Sequence, residues 1–305
     1  MSGCGSKYEI PFTADSNISS FSMVNFEKSS EKVEAFSNDL CIAGSNVDSG
    51  SLKLNDKGAG GLFDITHHNT IYANNVHEKM HPASLTKIMT AIVALKNGTP
   101  DMVLTASPNV YVNDYTAQKM DLREGDQLTL EQALYLLLIY SANDVANLIA
   151  EGIGGNIDNF VNMMNEEALL IGATETHFVN PTGLTTEDHY TSAYDLYLMF
   201  NEASKFELFN RILNTSEYST KYYNIAGTEK EIEVVSTNLY IIGKKSSPGG
   251  VSVLGGKTGT TNAAGHCLII SSKDTNGGSY ISIIMNSPTR DELYDNMNGL
   301  LKKVG

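Results

Sequence analysis

The sequence predicts a mixed fold of the α/β (α+β) class, and three observations predict it. Toward one end, Gly61-Leu62-Phe63-Asp64-Ile65-Thr66 and Thr70-Ile71-Tyr72-Ala73-Asn74 flank a polar turn, the pattern of a β-hairpin. The middle of the chain repeats apolar residues at helical spacing in successive segments. The last third is mostly β, with apolar runs separated by glycine turns.

Taken in order, the stretch from Gly5 to about Asp48 is rich in Ser, Asn, Glu and Lys and reads as a tether or loosely ordered arm. Within it, Leu40-Cys41-Ile42-Ala43 is expected to add one short strand, with Cys41 a small buried hydrophobe. The arm is assigned to residues 1–57 and a single folded domain to 58–305. His67-His68-Asn69 form the hairpin tip. A helix follows over Leu85 to Leu95, apolar nearly all round and therefore buried, and it stops at Asn97-Gly98. A polar stretch runs to Asp126. Thr129-Leu130-Glu131-Gln132 is a capping-box start that opens a helix from Leu130 to Ile139. That helix breaks at Tyr140-Ser141-Ala142-Asn143-Asp144, and a third follows at once. Asn156 caps another, with Ile157, Phe160, Val161, Met164, Ala168 and Ile171 on its apolar face and Gly172 as its stop. Thr176 to Leu184 is a loop by its Asn-Pro and Gly signals, and one more helix opens at Thr191. Strands are expected over Val251–Thr260, Cys267–Ser271 and Tyr280–Met285, then a final helix from about Arg290 to Lys302.

The chain has 305 residues, 41% hydrophobic and 18% charged, enough apolar material for a sizeable core. A formal net charge of −14 argues against a nucleic-acid partner. Three widely separated cysteines, Cys4, Cys41 and Cys267, form neither a disulfide framework nor a zinc set. No apolar run reaches the roughly 20 residues of a membrane span. Met1-Ser2-Gly3-Cys4-Gly5-Ser6 resembles the end of a bacterial lipoprotein signal, without the hydrophobic part. Two readings stand: a lipidated Cys4 that tethers the chain to the outer face of a membrane, or a chance match.

The chemistry concentrates at Pro82-Ala83-Ser84-Leu85-Thr86-Lys87. On a helix, positions i and i+3 share a face, so the Ser84 hydroxyl and the Lys87 amine point the same way. Burial lowers the pKa of a lysine, and a neutral amine can take the proton of a hydroxyl. Ser84 as a helix cap and Lys87 as a snorkelling side chain is the competing reading. The spacing also recurs at Ser29–Lys32. S-x-N occurs at Ser141–Asn143 and again at Ser236–Asn238, whereas K-T-G stands once, at Lys257-Thr258-Gly259. Glycines beside Lys257 let a ligand backbone approach the strand. A phosphate-loop reading fails for want of G-x-x-x-x-G-K-[ST] and a following helix. His67, His68, His77 and His81 complete no recognisable ligand set, so neither metal nor cofactor is expected.

S-x-x-K at 84–87, S-x-N at 141–143 and K-T-G at 257–259, in that order, form the motif set of penicillin-binding proteins and class A β-lactamases. Further segments extend the resemblance, among them Leu122 to Asp126, Tyr140 to Asp144, His177 to Leu184, His189 to Leu196 and Gly255 to Gly265. Over roughly residues 58–303 the chain resembles the low-molecular-mass D-alanyl-D-alanine carboxypeptidases. The resemblance implies a serine β-lactamase/DD-peptidase-like fold: an antiparallel sheet of the Gly61–Asn74 hairpin and the C-terminal strands, flanked by helices, plus a helical lobe carrying Ser141. It implies Ser84 as nucleophile, Lys87 as its base, Ser141 and Lys257 as proton relay, and Asn143 as a holder of the substrate amide and of Lys87. The backbone N–H groups of Ser84 and Thr260 would form the oxyanion hole, and Gly259, between Thr258 and Thr260, belongs with the substrate-binding residues. Thr258, Thr260 and Arg290 would bind the terminal carboxylate. The implied partners are a peptidoglycan stem peptide ending in D-Ala-D-Ala and β-lactam antibiotics. The implied location is outside the cytoplasm, at the outer face of the cytoplasmic membrane. The chain ends at Gly305, just after the last helix, and is expected to be the catalytic domain alone, anchored, if at all, from its N-terminus. Two alternatives remain: a serine β-lactamase, although Glu175 and Asn180 depart from E-x-x-L-N, and a catalytically silent peptidoglycan-binding lipoprotein.

Overall fold

The computed structural model describes residues 39–304, apart from 49 and 51. Cys4, Ser29–Lys32 and most of the expected arm lie outside the described residues. In chain order the elements are β1 (Ala59–Asp64), β2 (Asn69–Asn74), a 3-10 turn (Ala83–Thr86) that runs into α1 (Lys87–Asn97), β3 (Val103–Thr105), β4 (Asp126–Thr129), α2 (Leu130–Tyr135) continued by a π-helical turn (Leu136–Tyr140), α3 (Asn143–Gly154), α4 (Ile157–Leu170), α5 (Ala193–Ala203), α6 (Glu207–Leu213), β5 (Glu217–Asn224), β6 (Glu229–Val235), β7 (Val251–Thr261), β8 (Gly265–Asp274), β9 (Ser279–Ser287) and α7 (Arg290–Leu301).

The expected antiparallel sheet is present, with strand order β2-β1-β9-β8-β7. Strands from the two ends of the chain meet in it, Gly61 opposite Ile283. Side chains alternate across a strand, so each strand serves two layers. On β9, Ile281, Ile283 and Met285 enter the larger core, shared with α1, α3 and α5. Tyr280 and Ile284 enter a smaller core against Leu293, Met297 and Leu300 of α7. Each such fully buried side chain contributes about 1.5–3 kcal/mol relative to exposure.

Local signals account for most element ends. Thr129 and Gln132 form the expected capping box, and Asn156 accepts from the Asn159 N–H to cap α4. Gly172, at φ +83°, turns the chain after α4. Gly98 ends α1 for a different reason. Its φ is −126°, and a Cβ there would stand 2.6 Å from Leu130 and 2.7 Å from Ile153. Glycine is required by close packing, not by a left-handed turn.

Several features differ from the sequence expectation. Leu40–Ala43 is not a strand; Val47 makes a single bridge to Ala73, and Cys41 is buried with its thiol on the Asp64 carbonyl at 3.2 Å. Residues 39–57, read as the end of an arm, feed Cys41, Leu52 and Leu54 into the cores. α5 begins at Ala193, two residues after the expected Thr191, with Ser192 as its capping side chain. A second antiparallel sheet, β3-β4-β5-β6, and helix α6 were not foreseen.

Candidate active site

Ser84 lies in the 3-10 turn, and Lys87 is the first residue of α1. A 3-10 turn stacks residues i and i+3 directly over one another, closer than an α-helix does. Lys87 Nζ lies 3.1 Å from Ser84 Oγ. Ala83, just before the serine, has φ +48°, a conformation that costs a non-glycine residue about 1–3 kcal/mol. Packing holds it there. Thr86 Oγ1 donates to the Ala83 carbonyl at 2.8 Å and accepts from His189 Nε2 at 2.8 Å. His189 Nδ1 accepts from the Val179 N–H at 3.0 Å. Both ring nitrogens are thus committed to a neutral imidazole, and burial pushes its pKa down to about 4. Gly183 closes the clamp: at φ +84°, it lies so close that a Cβ would stand 1.9 Å from the Ala83 carbonyl oxygen. His189 and Gly183 were read from sequence only as parts of resembling segments, with no role assigned.

Lys87 is fully buried. Its amine meets Asn143 Oδ1 at 2.9 Å and the Thr182 carbonyl at 2.5 Å as well as Ser84. Burial, then repulsion from Lys257, holds its pKa well below the usual lysine range, against a weaker opposing pull from Asp144. A neutral amine has two protons and a lone pair. In that form Asn143 and Thr182 would take the protons and leave the lone pair for the Ser84 hydroxyl.

The π-helical turn after α2 delivers the second motif. It leaves Ser141 at φ 72° and starts α3 at Asn143. The Asn143 amide nitrogen donates to the Gln118 carbonyl at 2.9 Å, which turns its oxygen toward Lys87. Lys257 comes from β7, fully buried, and donates to Ser141 Oγ and to the Thr258 carbonyl, both at 2.9 Å. Burial lowers its pKa to about 7. Strand alternation sends Lys257 and Gly259 to one face and Thr258 and Thr260 to the other. A Cβ on Gly259 would stand 3.0 Å from the Pro82 carbonyl oxygen and 3.1 Å from the Ser84 nitrogen, so glycine lets β7 lie along the serine turn.

Arg290 opens α7 and donates to the Thr237 carbonyl at 3.1 Å. Thr237 Oγ1 in turn pairs with Thr258 Oγ1 at 2.6 Å. Thr237 sits inside the second S-x-N, which sequence reasoning set aside as a repeat of a common pattern; that triplet was its only signal. A cavity of about 750 Å³ is lined by Ser84, Ser141, Asn143, Thr258, Thr260 and Arg290, among others. All nine residues singled out from sequence therefore converge on this cleft, Lys87 and Lys257 from just beneath its wall. The histidines weighed as ligands do not gather: His67 pairs with Asp64, His77 with Glu175, and His81 with the His189 carbonyl. No metal-ligating cluster occurs among the described residues. A hydroxyl 3.1 Å from a buried amine of depressed pKa, with a second lysine–serine pair across the cleft, can carry out nucleophilic acyl transfer.

The chain is similar to known proteins. The family model described as D-alanyl-D-alanine carboxypeptidase, peptidase S11, matches residues 59–289. The chain is 36% identical over 209 residues to the D-alanyl-D-alanine carboxypeptidase DacF of Bacillus subtilis, covering 68% of this chain and 51% of that one. It is 30% identical over 222 residues to DacD of Escherichia coli, also a D-alanyl-D-alanine carboxypeptidase, covering 70% and 54%. The chain thus spans about half the length of these curated relatives. The crystal structure of the Streptomyces K15 DD-transpeptidase superposes with a TM-score of 0.73 at 25% identity, over 80% of this chain and 95% of that one.

Proposed function

The chain belongs to the D-alanyl-D-alanine carboxypeptidase family, peptidase S11, and from that premise we propose that it removes the terminal D-alanine of peptidoglycan stem peptides through an acyl-enzyme on Ser84. The observation that carries the reading is the fully buried Lys87 amine, its pKa depressed, 3.1 Å from Ser84 Oγ. Lys87 takes the serine proton as Oγ bonds to the carbonyl carbon between the two D-alanines. The oxygen that becomes negative faces the Ser84 and Thr260 N–H groups. As the C–N bond breaks, Ser141 and Lys257 pass a proton to the departing amine; water then cleaves the ester. Asn143 holds the acyl-donor amide. Thr258, Thr260 and Arg290 take the terminal carboxylate, for which a guanidinium fork is suited. The catalytic domain of this reading is 58–305, working outside the cytoplasm, with a lipidated Cys4 as its membrane tether.

The test is intact mass after incubation with benzylpenicillin, for the wild type and Ser84→Ala, together with D-alanine release from a stem peptide. A lasting one-to-one adduct absent from the variant, with D-alanine released by the wild type, is the expected result. Drug consumed without a lasting adduct would mean a serine β-lactamase. Against that alternative, Glu175 pairs with His77 at 3.0 Å and does not line the cleft. No adduct and no D-alanine would mean a silent binding protein.

A further inference from the structure

Ala83 keeps its strained φ of +48° directly before Ser84, so the turn that aims the serine hydroxyl depends on what holds it. Part of that hold comes from a ring outside the cleft. His189 is 1% exposed and does not line the cleft. Its tautomer follows from counting protons. The Thr86 hydroxyl has one proton and gives it to the Ala83 carbonyl at 2.8 Å. Toward His189 Nε2, also at 2.8 Å, Thr86 Oγ1 can then only accept, so Nε2 carries the hydrogen. Nδ1 is bare, because it accepts from the Val179 N–H at 3.0 Å. The titratable groups that act on the ring, His81, His177 and Lys87, all oppose a second proton. Each nitrogen therefore has one task. Nδ1 anchors the ring to a stiff loop, in which Asn180 Oδ1 accepts from the N–H groups of Thr182 and Gly183 and from the Thr182 hydroxyl. The Pro181 carbonyl ties that loop to α1, accepting from Thr90 at 2.7 Å. His81 Nδ1 donates to the His189 carbonyl at 2.9 Å, and the Phe178 ring meets the imidazole edge-on at 5.6 Å. Nε2–H directs the buried Thr86 hydroxyl, which without this donor loses one partner and the direction of its bond to Ala83.

We propose that His189 is a positioning residue for acylation, which holds Thr86, and through it Ala83, so that the Ser84 hydroxyl stays against the Lys87 amine. The inference rests on the acyl-enzyme reading at Ser84 and adds to it a residue outside the cleft. Because the ring does not meet substrate, it acts on the chemical step and not on binding.

The experiment follows benzylpenicillin acylation over a range of drug concentrations, which separates the acylation rate constant from non-covalent affinity. It also reads kcat and KM for D-alanine release from a D-Ala-D-Ala peptide. Two substitutions divide the ring: glutamine puts an amide N–H where Nε2–H stood, and asparagine reproduces only the acceptor at Nδ1. His189→Gln is expected to acylate within about fivefold of the wild type, and His189→Asn about 10²-fold more slowly, with affinity and KM changed by about threefold or less. Thr86→Val is expected to match His189→Asn, and the double variant to be no slower than either. Thermal melts show which variants are folded. Where the His189 variants are not, Thr86→Val against Thr86→Ser decides, with Thr86→Ser expected near the wild-type rate. A folded His189→Asn or Thr86→Val at the wild-type rate would overturn the role of His189 and leave the acyl-enzyme reading intact, as would His189→Gln and His189→Asn slowed alike. A wild type that forms no adduct and releases no D-alanine would overturn both.

Discussion

Lys87 and Lys257 are both fully buried, yet the two halves of the cleft use them differently. On the helical side, Lys87 meets three oxygens and is pushed down by burial and by the charge of Lys257. On the strand side, Lys257 meets Ser141 and a carbonyl, answers to burial alone and comes to about 7. One buried amine therefore helps keep its neighbour's lone pair free of a proton. A charge on Lys257 disfavours a second charge on Lys87. Near neutral pH the strand-side amine can both give and take a proton, as a relay requires.

The sharpest way to break this comparison is to remove each amine in turn. Lys87→Met is expected to slow acylation by benzylpenicillin by about 10³-fold or more, and Lys257→Met by nearer 10²-fold. Stopped-flow or intact-mass kinetics would read this, and equal losses would mean that the two lysines do not divide the work. The helical half also depends on the clamp around Ala83. Gly183→Ala adds a Cβ 1.9 Å from a carbonyl oxygen at a positive φ, and is expected to cost about 2–4 kcal/mol in denaturant unfolding.

On the proposed role of Arg290 as a carboxylate binder, Arg290→Gln is expected to raise KM for a D-Ala-D-Ala peptide about tenfold with a smaller change in kcat. The smallest effect is a displacement in pH. Without the repulsion from Lys257, Lys87 holds its proton more readily. The acid limb of the acylation profile of Lys257→Met should therefore move to higher pH. Stability responds as well. The folded pKa of Lys257 is depressed to about 7 from 10.5, so the unfolded chain binds more protons between these values. Wild-type stability should rise with pH across that window. Lys257→Met is expected to gain about 1–2 kcal/mol at pH 7 and to lose that advantage toward pH 10 in melts at matched salt.

Rules that reach only a few residues made much of this protein legible. The three-residue step from Ser84 to Lys87, the Thr129–Gln132 box, the hairpin at Gly61–Asn74 and the alternation through Lys257-Thr258-Gly259-Thr260 all follow from backbone geometry within one turn or one strand. The second sheet escaped because β5 and β6 bury few apolar side chains, among them Tyr222, Ile232 and Val234, between exposed polar ones. So thin an alternation becomes a strand only when a partner supplies the hydrogen bonds.

The motifs, their order and the residue types that acyl transfer would need are legible in the chain alone. The tertiary structure alone decided their properties. Asn143 reaches Lys87 across 56 residues, and Ser141 reaches Lys257 across 116. Ala83 holds φ +48° only because Thr86, His189 and Gly183 surround it. Whether a lysine is charged depends on the water excluded around it and on the next charge across the cleft. Both come from segments that meet only in the folded chain.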